Sequence, residues 1–134
     1  MAKNTKFVSP FSGVKYFKKF EFDSPDVKNS GILMDPTFIK KLDLARNISN
    51  IPYVVSSGFR TEMHNKLVGG ENDSSHLKGI AVDIAYKNSN ERMLIIKGLI
   101  LAGFVRIRVY ELHIHVDLDT KKIQNWFGVK GNFV

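Results

Sequence analysis

Two segments constrain the fold of this chain more than any other feature, because each sets metal-ligating residues inside or beside a short apolar run. From Ser57 to Ile84 the chain reads SGFRTEMHNKLVGGENDSSHLKGIAVDI, and from Glu111 to Asp119 it reads ELHIHVDLD. In the first, His76 and Asp83 flank a break at Gly79; in the second, His113 and His115 alternate, so that in a strand they share one face. A borderline-soft divalent cation such as zinc accepts imidazole nitrogen and carboxylate oxygen, and a catalytic site uses three protein ligands, leaving the fourth position to water. Two histidines and one aspartate meet that count, provided the fold brings the two segments together.

The rest of the chain supplies a scaffold for that convergence. Asp35 reads as an N-cap and Pro36 as the first residue of a helix, where its missing N–H costs nothing. Phe38, Ile39, Leu42 and Ala45 then recur at helical spacing, which predicts a core-packing helix from about Pro36 to Ser49. IPYVVS, from Ile51 to Ser56, reads as a central strand that delivers Ser57 to Arg60 to its end. A helix beginning near Thr61 follows, carrying His64 and Asn65 and stopping at Gly69 and Gly70. IAVDIAY, from Ile80 to Tyr86, is a strand with Ala81 and Asp83 on one face and Val82 and Ile84 on the other. After a cap at Asn88 to Asn90, Glu91 to Gly103 is a second apolar-faced helix. FVRIRVY and HIHVDLD form an antiparallel hairpin turning at Glu111 and Leu112.

Residues 1–31 mix Lys3, Lys6, Lys15, Lys18 and Lys19 with aromatic side chains; residues 1–22 read as an N-terminal arm whose aromatics pack on the domain. The tail KKIQNWFGVKGNFV holds the single tryptophan, Trp126, which together with Phe127 is a candidate cleft wall. No repeat or linker divides the chain. The expectation is one α+β domain over residues 1–134, a mainly antiparallel sheet of about four strands with two to three helices on one side and a zinc cleft on the other.

At 134 residues such a domain buries a core without staples. There is no cysteine, so any metal must be held by His, Asp or Glu. No apolar run approaches the ~18 residues of a membrane span, and the N-terminus lacks the apolar stretch of a secretion signal. The chain is therefore expected to be made in the cytoplasm and to act as a monomer. The formal net charge of +7 favours an anionic partner, and no nucleic-acid-recognition pattern accompanies it.

The motifs SGFRT at Ser57 to Thr61, Asn65, VGG at Val68 to Gly70, NDSSHLKGIAVDI from Asn72, AGF at Ala102 to Phe104 and HVD at His115 to Asp117 occur in an order that resembles the zinc D-alanyl-D-alanine carboxypeptidases and related peptidoglycan endopeptidases, in particular their small phage-type catalytic domains. The resemblance spans roughly residues 20 to 128. It implies a hedgehog/D-Ala-D-Ala peptidase-like fold, Zn²⁺ held by His76, Asp83 and His115, and hydrolysis of peptide bonds in bacterial peptidoglycan. It also implies that Arg60 binds substrate and polarises the scissile carbonyl, and that Ser74 hydrogen-bonds substrate. Because the chain carries no wall-binding module, a viral lysis enzyme or a virion-associated wall peptidase is the expected setting, reaching the wall after release or within a particle.

One position departs from the pattern. Many relatives carry Glu or Asp three residues before the last histidine ligand, and here that residue is Leu112, which moves no proton. Glu111 and His113 stand on either side of it. In a strand starting at Glu111, residues 111, 113 and 115 would share a face, and either neighbour would reach the attacking water; His113 is the favoured base. Leu112 also motivates the alternative of a non-catalytic, metal-containing module that binds wall or protein. Asp117 and Asp73 are candidate acceptors for the outer N–H of a ligating imidazole.

Overall fold

The computed structural model describes residues 7–130. Lys3 and Lys6 of the expected arm, and the last four residues of the tail, lie outside them. Three α-helices and one five-stranded sheet make up the fold: α1 (Pro36–Ser49), β1 (Val54–Ser57), α2 (Glu62–Leu67), β2 (Ala81–Ala85), α3 (Ser89–Leu101), β3 (Arg106–Val109), β4 (His113–Asp117) and β5 (Trp126–Val129). The strand order is β1-β2-β4-β3-β5. Every neighbouring pair is antiparallel except β3 and β5, which run parallel.

Local signals explain the helices. The Asp35 carboxylate accepts from the Phe38 amide at 2.9 Å, Pro36 opens α1, and Asn50 closes it in the left-handed conformation. Thr61 and Asn88 cap α2 and α3 in the same way, through the His64 and Glu91 amides. The apolar stripe of α1 meets α3 and the sheet face built by Val82, Ile84, Ile107, Val109, Ile114 and Val116, all buried. The alternation of the strands therefore sends their polar residues to the opposite face.

One expectation about the sheet needs correction. IPYVVS is an edge strand, not a central one: Ile51 and Tyr53 pack on the core before the strand begins, and Val54 faces solvent. The sheet also has five strands rather than about four. Its fifth, β5, pairs in parallel with β3 after a loop, and its short run WFGV gives too little alternation to be read as a strand. The described N-terminal residues pack onto the domain. Phe17 and Phe22 are buried with their rings 5.3 Å apart, and Phe22 lies in a 3-10 turn, Lys19–Phe22.

A bulge in β1 is what orients the start of the site. Val55 stands opposite Ile84, both toward the core, but the register shifts so that Ser57 stands opposite Asp83. The extra residue turns Ser57 to the polar face, where regular pairing would have kept it with Val55. One row then crosses the whole sheet: Ser57, Asp83, His115, Arg108 and Gly128, each the register partner of the next.

Candidate metal centre

The row places Asp83 and His115 side by side, and a 3-10 turn, Ser75–Lys78, brings His76 over them. Three features hold that turn. Ser74 caps it by accepting from the His76 amide, Gly79 ends it with φ 72°, and Asp119 ties Ser75 (2.7 Å) and Lys78 (2.9 Å) to the end of β4. At Gly79 a Cβ would come 2.3 Å from the Leu33 carbonyl oxygen, so only glycine fits there.

An Asp83 carboxylate oxygen lies 3.3 Å from His76 Nε2 and 3.0 Å from His115 Nδ1, and the three ligand atoms all lie within 4.8 Å of one another. Donors about 2.0–2.1 Å from a tetrahedral zinc stand roughly 3.3 Å apart, so the spacing fits one ion. The outer ring nitrogens are engaged as ligand tautomers require. His76 Nδ1 meets the Gly58 carbonyl at 2.7 Å, and His115 Nε2 meets Asp117 at 2.8 Å. Asp117, not the exposed Asp73, therefore serves as outer acceptor, and the second acceptor is a backbone carbonyl that no side-chain motif could reveal. The donor set and its supports fit a zinc ion.

Electrostatics favour the charged carboxylates. Burial would raise the Asp83 carboxyl, but hydrogen bonds from His115 and His76 outweigh it and hold the group well below the usual carboxylate range. Burial likewise opposes ionisation of His115, yet its bonds to Asp117 and Asp83 raise its pKa. Asp117 is also held low; its burial is offset by His115 and by Arg106, whose Nε donates at 2.7 Å.

Around the ligands lies a cleft of about 580 Å³ lined by Arg60, Ser74, Arg108, Tyr110, His113 and Trp126 among others. Arg60 donates through Nε to Ser57 and through Nη1 to Asn65, with Nη2 3.5 Å from Asp83. Ser74 is buried at the cleft wall. His113 Nε2 stands 3.8 Å from Asp83, and its ring stacks on Tyr110 at 4.6 Å and 15°. Burial lowers the His113 pKa more than the Asp83 charge raises it. Glu111 is not brought to the cluster. The strand starts at His113, so Glu111 sits exposed in the hairpin turn and does not line the cleft. Trp126 lines the cleft as expected, whereas Phe127 is exposed away from it. Sequence reading missed Tyr110 and Arg108; the strict alternation of RIRVY was the signal that they share the face of His115.

Two imidazoles and a carboxylate that could hold one metal ion thus stand on the polar face of a sheet whose other face is packed by helices. The peptidase M15 family model matches residues 15–117, and the chain belongs to that family of zinc D-Ala-D-Ala carboxypeptidase-like proteins. No curated protein matches the chain. Among the described residues no helix is long and apolar enough to cross a membrane.

Proposed function

We propose that the protein hydrolyses peptide bonds of bacterial peptidoglycan flanked by a D-amino acid, as a D-Ala-type carboxypeptidase or as an endopeptidase that opens cross-links. Family membership supports a zinc peptidase of the peptidoglycan-acting kind, and the observation that carries the catalytic reading is His113 beside the triad on the open face of β4. His76, Asp83 and His115 would hold the ion. Zinc held there supplies Lewis acidity, polarising the scissile carbonyl and acidifying the attacking water.

The chain's own residues do the remainder. His113, kept neutral by burial and set by its stack on Tyr110, accepts the water's proton through Nε2 and returns it to the leaving amine. Three of the five N–H groups of Arg60 bond Ser57, Asn65 and Asp83, and the two others would serve the substrate carbonyl. The Ser74 hydroxyl, whose oxygen already accepts from the His76 amide, donates its hydrogen to the substrate backbone. The setting we infer is a phage wall-lytic enzyme, a monomer made in the host cytoplasm that meets peptidoglycan after release or as part of a virion.

The test is purified protein incubated with zinc and whole peptidoglycan, with released peptides identified by mass. Products cut beside a D-amino acid, lost on chelation and restored by zinc, are expected. Retained stoichiometric zinc without any cleavage would overturn the enzymatic reading in favour of a non-catalytic binding module, which Leu112, exposed in the turn, would suit.

A further inference from the structure

Three arginines present guanidinium groups to the cleft, and they are not equivalent. Arg60 is engaged by Ser57, Asn65 and Asp83. Arg106 is engaged by Asp117 and by the Ile123 carbonyl. Among the described residues Arg108, two residues on and on the same face of β3, has no carboxylate partner, and its buried Nε meets no protein acceptor.

The surroundings of Arg108 look built to keep it available. Its Cζ lies 5.1 Å from the Tyr110 ring centre and 5.6 Å from that of Trp126, so aromatic rings rather than acids flank it. Trp126 reaches this position because residue 128 is glycine: a Cβ there would lie 2.8 Å from the indole. Lys130 and Lys122, the latter 3.8 Å from Asp119, also line the cleft. Most importantly, Arg108 is the register partner of His115, one strand over from a metal ligand. Paired residues of adjacent strands have Cα atoms about 4.5–5.5 Å apart, so Arg108 and His115 stand side by side on the cleft face of the sheet.

We propose that Arg108 is a specificity-determining residue that binds a carboxylate carried by the substrate peptide near the scissile bond. The planar fork of a guanidinium matches a carboxylate through two parallel N–H bonds, and the two Nη groups of Arg108, which no carboxylate among the described residues engages, supply such a pair on the cleft side. Two sources offer that chemistry, the C-terminal carboxylate of the released amino acid and an acidic side chain next to the cut bond. The inference rests on the peptidase reading for its substrate class, but it makes a binding claim that stands apart from turnover.

The test uses the full chain, zinc-loaded and metal-free, and four synthetic stem peptides: both carboxylates free, C-terminal amide, side-chain amide, and both amidated. Affinity is measured by calorimetry, and kcat and KM where cleavage occurs. The wild type is expected to bind the free acid about 10- to 100-fold more tightly than the amide that removes the recognised group, and the amide showing the loss identifies the source. Arg108→Gln, checked for native circular dichroism, should bind acid and amide within about twofold, while Arg108→Lys, which keeps the charge without the fork, keeps part of the preference. A wild type without acid preference, one that binds none of the four, or an Arg108→Gln variant that folds and keeps the preference would each overturn the proposal. Absence of cleavage alone with the acid preference intact would remove the peptidase reading and leave the carboxylate site standing.

Discussion

The Asp117 carboxylate meets His115 Nε2 at 2.8 Å on the side of the ring away from Asp83, while its other oxygen accepts from Arg106 at 2.7 Å. The last candidate ligand of the cluster is thus oriented by a residue two positions along its own strand, itself fixed from the neighbouring strand.

Asp117→Asn should therefore weaken zinc binding by about 10- to 100-fold, since the imidazole loses the charged acceptor that fixes its tautomer. Competition against a chromophoric chelator measures this. Unchanged affinity would mean that the pair is only a packing contact.

His113 and Glu111 flank Leu112 but end in different surroundings, one beside Asp83 and one exposed in the turn. His113→Ala is expected to lower kcat by about 10²- to 10⁴-fold with zinc retained, and Glu111→Ala to leave it within about twofold. Equal losses in the two, with zinc content verified, would remove His113 as the base.

Asp119 reports on acid stability. Burial alone would raise its carboxyl, but Lys78 and Ser75 outweigh this and bring it down to about 2. An unfolded aspartate titrates near ~3.9, so this group's contribution, on the order of 2 kcal/mol, is complete above about pH 4 and fades as pH falls towards about 2. Asp119→Asn should be less stable at neutral pH and show a shallower decline between pH 4 and 2 in urea unfolding. A variant with the parent's full acid slope would contradict this assignment.

Gly79→Ala should be among the more damaging single changes, costing more than about 2 kcal/mol, since it places a Cβ against the Leu33 carbonyl at positive φ. The His76 turn ends at this residue, so thermal unfolding and zinc affinity should fall together. A change in neither would show that the turn tolerates a shift of the Leu33 backbone.

Much of this protein was legible from local chemistry. The Asp35–Pro36 signal and the apolar spacing of α1 place that helix from Pro36 to Ser49, and alternation in AVDIA and HIHVD assigns Asp83, His113 and His115 to one face each. Such features depend on the dihedral preferences and side-chain periods of a few neighbouring residues, which the chain carries wherever it folds. Strand order, the β1 bulge, the parallel docking of β5 and the Gly58 carbonyl on His76 were settled only by tertiary structure. So were the exclusion of Glu111 from the cleft and the open guanidinium of Arg108. Each depends on contacts between residues far apart in sequence, where a one-residue change of register would reverse which side chains meet.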